Sequence, residues 1–322
     1  MDRKRLGNSD IALSPIGIGA WAMGGGGWSF SWGPQDDRDS IDAIEAAIDH
    51  GVNWIDVSPV YGLGHSEEIV GRVLARHAKR LHVFTKCGIL VTDTQQMRSS
   101  LKAESIRREC DASLRRLNVD AIDVYQLHWP NPEAELEEAW CELARLKQEG
   151  KIRWAAVSNF KVAHLERCRP FGEITSVQPS YSAVTPDAGQ TLLPYCQQHG
   201  IGVIVYSPMK SGLLSGKMTR ARLAELPEDD FRRRAVHFKE PELSRNLALA
   251  DLMIRIGERH GRSAAEVAIA WALHHPAVTA AIVGVRSRAQ VAGIIGAMEF
   301  RLTQQEVDEI VEFRQRSMAV AV

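Results

Sequence analysis

Four side chains that can hold or pass a proton stand at the ends of three successive apolar runs: Asp56 closing NWID, Tyr61 in the loop after it, Lys86 directly after HVFT, and His128 directly after IDVYQL. Each has a bland explanation by itself, since Asp56 can cap a turn, Lys86 can be a solvated rim charge and a lone histidine can be structural. Together they make a proton-transfer device. A carboxylate beside Lys86 keeps its ammonium charged, and a cation beside a tyrosine hydroxyl lowers its pKa by stabilising the phenolate that forms. An unperturbed phenol, with pKa ~10, is too weak an acid for neutral pH. With His128 orienting a carbonyl oxygen from the other side, the set has the chemistry of carbonyl reduction, Tyr61 giving the proton.

Such a device works only if successive strands deliver its members to one mouth. Short runs rich in β-branched residues at 16–19, 53–57, 82–85, 122–127, 154–157, 176–178, 202–206 and 280–283 alternate with amphipathic stretches at 38–50, 66–75, 103–117, 135–149, 162–169 and 191–199, with three more helices from Leu243 onward. Eight strand-helix units of this kind predict a parallel α/β sheet. Gly51, Gly150 and Gly200 each follow a helix, where a left-handed cap is wanted. The sheet could close or lie open. An open nucleotide-binding sheet would show G-x-G-x-x-G after its first strand, whereas residues 16–21 read IGIGAW and run into a loop of four glycines. The loop itself reads either as a phosphate cradle or as a flexible cover over the mouth. The expected class is therefore a (β/α)8 TIM barrel. RLGNSDIALS, at residues 5–14, predicts an N-terminal β-hairpin plugging the barrel, and extra C-terminal helices complete it. No linker or repeat divides the chain, so residues 1–322 are expected to form one domain.

Composition narrows the partners. The 322 residues are 45% hydrophobic and carry a net charge of −1, with 39 basic and 40 acidic residues interspersed, so no basic stripe for nucleic acid exists. No apolar segment approaches a membrane-spanning length. Five cysteines, Cys87, Cys110, Cys141, Cys168 and Cys196, include no C-x-x-C pair, so neither a metal site nor a disulfide framework is expected and a cytoplasmic location fits. The sequence leaves the oligomeric state open, a monomer being plausible.

From end to end the chain resembles the aldo-keto reductases. The resemblance is carried by WIDVSPVYGLGHSEEIVGRVL (54–74), FTKCG (84–88), VYQLHWP (124–130), VSNF (157–160), QPSYS (178–182) and YSPMKSGLLSGK (206–217). The family's Asp, Tyr, Lys and His tetrad falls on Asp56, Tyr61, Lys86 and His128. The LGNS start and the Y-G-x-G-x-S-E-E block look closest to bacterial reductases of the inositol-operon and general-stress type.

The resemblance implies NADPH as cofactor, with NADH possible, lying extended across the barrel mouth. Ser158, Asn159 and Gln178 would hold the nicotinamide carboxamide and Tyr206 would stack on the ring. Ala20, Trp21 and Asp56 would border it. Within 207–217, a loop over the pyrophosphate would use Ser207, Pro208, Met209, Lys210, Gly212, Leu214 and Gly216, with Lys217 meeting the charge. Gly284 and Gln290 belong to the last segment, where Ser287 starts a helix suited to phosphate and Arg286, aided by Arg288, is the candidate for the adenosine 2′-phosphate. Where family members often carry a Glu-Asn pair for the adenine, this chain has Gly293 and Ile294. The substrate is expected to be a small carbonyl or alcohol. Trp21, Trp28, Trp32, Val60 and Trp129, with Phe30, form either its rim, suited to an aromatic or sugar-like compound, or plain loop packing. Two other functions compete: a cofactor-sensing regulatory subunit with little turnover, and a lyase using Lys86 as a Schiff-base amine.

Overall fold

Period-two alternation along short strands decides what faces the inside of a closed sheet. In the computed structural model, which describes residues 2–77, 81–92 and 96–319, a two-stranded antiparallel hairpin of β1 (Lys4–Arg5) and β2 (Ala12–Leu13) comes first. Eight strands then close into an all-parallel barrel: β3 (Ile16–Gly19), β4 (Trp54–Asp56), β5 (His82–Cys87), β8 (Ile122–Leu127), β9 (Ile152–Ser158), β10 (Ser176–Gln178), β11 (Gly202–Tyr206) and β12 (Ala280–Gly284), with β12 returning to pair with β3.

The inward positions separate into an apolar floor and a polar top. Trp54, Phe84, Val124, Ala156, Ile204 and Ala280 fill the lower interior, where Leu6, Ile11 and Leu13 of the hairpin region pack against them and seal that end. Two residues further along the same strands stand Asp56, Lys86, Gln126, Ser158 and Tyr206, with Gln178 level with Ser158 on the neighbouring strand. Trp54 fits inside only because Gly17 opposes it: a Cβ on Gly17 would lie 2.1 Å from the indole. The indole N–H donates to the Ser14 carbonyl at 3.0 Å, so its one donor is satisfied.

Outside the barrel lie α1 (Asp37–Asp49), α2 (His65–His77), α3 (Ala103–Leu117), α4 (Leu136–Gln148), α5 (Val162–Cys168) and α6 (Leu192–Gln198), followed by α7 (Arg220–Ala224), α8 (Glu242–His260), α9 (Ala264–His274), α10 (Arg288–Ala292) and α11 (Gln304–Ala319). Their starts are written locally. Asp36 accepts from the amides of Arg38 and Asp39 to cap α1, and Ser263 with Glu266 forms a reciprocal capping box on α9. No helix of the described residues is long and apolar enough to cross a membrane.

The expected (β/α)8 TIM barrel requires a correction. The strands are all parallel and form one continuous closed barrel, but strand and helix do not alternate one for one. After β5 the chain turns at Gly88 and forms a second antiparallel hairpin, β6 (Ile89–Val91) with β7 (Met97–Ser99), before α3 begins. Three helices, α7 to α9, intervene between β11 and β12, and the last strand is followed by a helix of only five residues, a 3-10 turn at Ile295–Met298 and α11. The physical reason lies in the loops: ILV and MRS pair as strands, and the Gly- and Arg-rich segments after Tyr206 fold as short turns.

The turn into β6 rests on a buried carboxyl. Glu109 of α3 accepts from the Gly88 amide at 2.9 Å and from the Ser105 hydroxyl at 3.2 Å, and burial pushes its pKa up to about 7 from 4.5. Between those values the folded state holds a proton that the unfolded chain releases, so this group's contribution is present below pH 4.5, shrinks as the pH rises, and is gone above 7, a loss of ~3 kcal/mol. Glu109→Gln should flatten this dependence. Thermal melts at pH 5 and pH 8 are expected to show a smaller drop in Tm for the variant than for the wild type; equal drops would contradict the assignment.

Candidate active site

Lys86 sits wholly buried at the floor of the mouth, and its three ammonium protons have three acceptors. It donates to Asp56 Oδ1 at 2.5 Å, to the Val57 carbonyl at 3.0 Å and to the Tyr61 hydroxyl at 3.3 Å. Register sets this up: Asp56 pairs with Phe84 across β4 and β5, and Lys86 with Gln126 across β5 and β8. Burial opposes the charge on Lys86, but Asp56 and Tyr61 outweigh it and raise its pKa, so the amine stays protonated and is no Schiff-base nucleophile.

Tyr61 is aimed by a backbone contact. It opens a 3-10 turn, Tyr61–Gly64, pressed against the turn Trp21–Gly24 so closely that a Cβ on Gly62 would stand 2.1 Å from the Gly24 carbonyl oxygen. Gly62 also has φ 60°, which glycine adopts at no steric cost. The first of the four glycines thus gives the two turns their close approach, a role distinct from both readings of the glycine loop. Trp21 stacks on Tyr61 at 6.2 Å and 21°.

The Tyr61 hydroxyl is expected from its neighbours to be a strengthened acid, and here the balance differs. Burial raises its pKa, and the attraction of Lys86 only partly offsets this. His128 crosses Tyr61 at 6.2 Å and 83°, and Ser58 Oγ lies 3.4 Å from its Nδ1. Removal from water and then the Lys86 charge hold the imidazole well below its usual pKa, so it is neutral at pH 7. Neutral His128 with Nδ1 facing the Ser58 hydroxyl leaves Nε2–H to meet a substrate oxygen.

The sequence reading missed Gln126. It is fully buried, and its Nε2 donates to Asp56 Oδ2 at 3.0 Å while its Oε1 accepts from Gln178 Nε2 at 3.0 Å. Gln178 Nε2 also donates to Asp56 Oδ2 at 2.7 Å. The Asp56 carboxylate therefore holds one cation and two amides. Gln178 is left with Oε1, whose single contact is the Ser158 hydroxyl at 3.4 Å. The signal was present: alternation puts residues 124, 126 and 128 on one face, so a glutamine between Val124 and His128 had to point inward. Gln126→Leu is expected to lower kcat about tenfold with little change in nucleotide affinity, because Asp56 loses a charge-assisted bond of ~1.5 kcal/mol or more. Steady-state kinetics with fluorescence titration checks both halves.

One cavity of about 480 Å³ spans the barrel mouth. On its wall lie Tyr61, His128, Asp56, Ser158, Asn159, Gln178 and Tyr206, and also Trp21, Trp28, Phe30, Trp32, Val60 and Trp129. Asn159 takes a left-handed backbone, φ 62°, held by Nδ2 bonds to the His128 carbonyl and the Ser158 hydroxyl and by accepting from the Tyr206 hydroxyl at 2.8 Å. From the loops come Ser207, Pro208, Met209, Gly212 and Lys217, with Gly284, Arg286 and Gln290 at the far arm. Four expected cofactor contacts stand off the wall. Ala20 and Leu214 are fully buried, a Cβ on Gly216 would meet Ala264 and Ile254, and Lys210 reaches Thr185 at 3.3 Å.

Several wall residues carried no sequence signal. Ile89 and Met97 come from the second hairpin, and Arg222 and Arg232 from the Arg-rich segment after β11. Arg232 is buried, paired with Asp230 at 2.6 Å, and 4.5 Å from the Trp32 ring. Ser287 accepts from the Gln290 amide at the start of α10, whose five residues give little helix dipole, and Arg288 is exposed. Gly293 and Ile294 border the same arm.

With this geometry in hand, comparison with known proteins assigns the class. The profile of the Aldo/keto reductase family matches residues 15–315, and the chain belongs to that family. Among individual relatives, it is 32% identical over 313 residues to aldo-keto reductase YhdN of Bacillus subtilis (strain 168), covering 96% of this chain and 92% of that one. It is 33% identical over 320 residues to the NADH-specific methylglyoxal reductase of Escherichia coli (strain K12), covering 95% and 96%. The solved structure of a glycerol dehydrogenase from Gluconobacter oxydans superposes with a TM-score of 0.89 at 35% identity, covering 98% of this chain and 96% of that one.

Proposed function

We propose that this chain reduces an aldehyde or ketone to an alcohol with a nicotinamide dinucleotide, Tyr61 supplying the proton. The observation that carries this reading is the Lys86 ammonium, bonded at 2.5 Å to Asp56 and at 3.3 Å to the Tyr61 hydroxyl, beneath a cavity that Tyr61 and His128 both face. The bound dinucleotide would supply the hydride.

The cavity fits such a group. Gln178 Oε1 and the Asn159 and Ser158 side chains can meet a carboxamide beside the Tyr206 ring, Lys217 and Arg222 offer positive charge for the phosphates, and Ala265 with Ile294 gives the far arm an apolar wall for adenine. The 2′-phosphate of NADPH falls to Arg286. Without the Glu-Asn pair the adenine is held by packing, and the relative named as NADH-specific makes NADH the second nucleotide to test.

The chain's own contribution is proton handling. His128 Nε2–H and the Tyr61 hydroxyl both donate to the carbonyl oxygen, polarising it. As negative charge develops there, the Tyr61 proton transfers and the alcohol forms. Lys86 stabilises the phenolate left behind, Asp56 keeps Lys86 charged, and solvent returns the proton. The aromatic wall from Trp21 to Trp32, with Trp129, suits an aromatic or sugar-like carbonyl compound. Five free cysteines accord with a reducing cytoplasm, the match over residues 15–315 supports reading one domain, and the LGNS start and Tyr61 block favour the inositol-operon and general-stress branch. Nicotinamide absorbance followed with NADPH or NADH and a panel of nitrobenzaldehydes tests the reading. Steady oxidation is expected; tight nucleotide binding with negligible turnover on every carbonyl would overturn it in favour of a sensing role.

A further inference from the structure

Arg286 is spent largely on another loop. Its Nε donates to Gln35 Oε1 at 2.6 Å, its Nη1 to the Trp32 carbonyl at 3.1 Å, and its Nη2 to the Pro34 carbonyl. Gln35 closes the clamp from the other side, its Nε2 donating to the Arg286 carbonyl at 2.9 Å and to the Ser40 hydroxyl of α1 at 3.0 Å. The Arg286 amide is itself fixed on Gln290 Oε1 at 2.8 Å. Three of the five N–H donors of a guanidinium thus hold one short segment, and two remain for any phosphate.

That segment, residues 25–36, has no regular secondary structure to hold it. Its middle is tied to the loop after β11, where the Phe231 amide donates to the Ser31 carbonyl at 3.1 Å and Ser31 Oγ to Asp229 at 3.0 Å. Its end is tied by Arg286. The segment carries Trp32, which meets Trp21 edge-on at 5.7 Å, and Trp21 is the ring stacked on Tyr61. A side chain on the far arm of the cavity therefore fixes the aromatic wall over the reacting end.

We propose that Arg286 is a positioning residue for the carbonyl substrate: its bonds to Trp32, Pro34 and Gln35 hold the aromatic wall in place whichever nucleotide is bound, apart from any contact it makes to a 2′-phosphate. The proposal rests on the reading that a carbonyl is reduced above Tyr61. NADH, which has no 2′-phosphate, separates the two roles.

Steady-state kinetics at saturating NADH with a nitrobenzaldehyde, and amide hydrogen exchange without nucleotide, are to be measured for wild type, Arg286→Ala and Gln35→Ala. Loss of charge-assisted bonds is expected to raise the aldehyde KM about tenfold in Arg286→Ala and about threefold in Gln35→Ala, with kcat within about twofold. Exchange at residues 28–36 is expected to quicken in both variants. An Arg286→Ala protein that binds NADPH more weakly but keeps its aldehyde KM with NADH and its exchange pattern would overturn the proposal and leave Arg286 as a phosphate contact alone. If no protein oxidises either nucleotide, the carbonyl-reductase reading fails, and unchanged exchange at 28–36 would then refute the clamp by itself.

Discussion

Tyr61→Phe is expected to lower carbonyl reduction by about 10²- to 10⁴-fold, the usual worth of a positioned general acid, while leaving nucleotide binding nearly intact. Only one oxygen is removed. The ring keeps its stack on Trp21 and its edge on His128, so the cavity keeps its shape. Stopped-flow or steady-state assays beside a fluorescence titration measure the two quantities, and wild-type turnover in the variant would refute the proposed proton donor. The pH profile gives a second check on the same residue. Tyr61 titrates above its usual value and His128 well below its own, so neither changes charge between pH 7 and 9 and the reductive kcat should be flat across that range. A fall centred near pH 7 would mean that a different group controls the reaction.

Lys86→Met should be nearly as damaging to turnover, and it adds a cost in stability. The variant loses the cation that stabilises the phenolate and leaves Asp56 buried without its counter-charge, a change expected to cost about 3–5 kcal/mol. Asp56 would keep only the two amides of Gln126 and Gln178. Adding Asp56→Asn removes the orphaned charge, so the double variant is expected to recover most of the lost stability and none of the activity. Urea unfolding and nicotinamide oxidation, measured on wild type, both single variants and the double variant, separate these effects. A Lys86→Met protein as stable as wild type would show that the buried pair is not what holds this floor together.

The convergence was legible because three of the four groups stand where an apolar run stops, with Tyr61 in the loop that follows one of them, and parallel strands of similar length must end at one rim. Asp56, Lys86 and His128 needed only that rule. Gln126 does not follow it: this residue stands inside the run 122–127, where only the alternation with Val124 and His128 marks it as inward, and a polar residue there is easily taken for an interruption. The strict alternation of strand and helix was misread because β6 and β7 are three residues each, too short for periodicity to separate from loop. The far arm was least legible. Arg286 was singled out only by the resemblance, and its partners at Trp32, Pro34 and Gln35 lie about 250 positions earlier in the chain, where nothing in either segment announces the other. Arg222 and Arg232 sit among several arginines without pattern, so only folding distinguishes the one that pairs with Asp230.

Closure of the barrel by its first and last strands also shapes how the chain is made. Ile16 to Gly19 pair on one side with residues 281–284, so during synthesis β3 has only β4 as a barrel neighbour until nearly the whole polypeptide has been built. At typical elongation rates of 5–20 residues per second, the interval between the two strands is roughly 15–50 s. Throughout that time an open strand edge is exposed on the ribosome, and the cavity proposed to take the nucleotide does not yet exist. A nucleotide bound in that cavity would therefore stabilise the finished protein but not assist the nascent one, and a truncation that removes Ala280–Gly284 with everything after it should leave chains that aggregate rather than a smaller folded barrel.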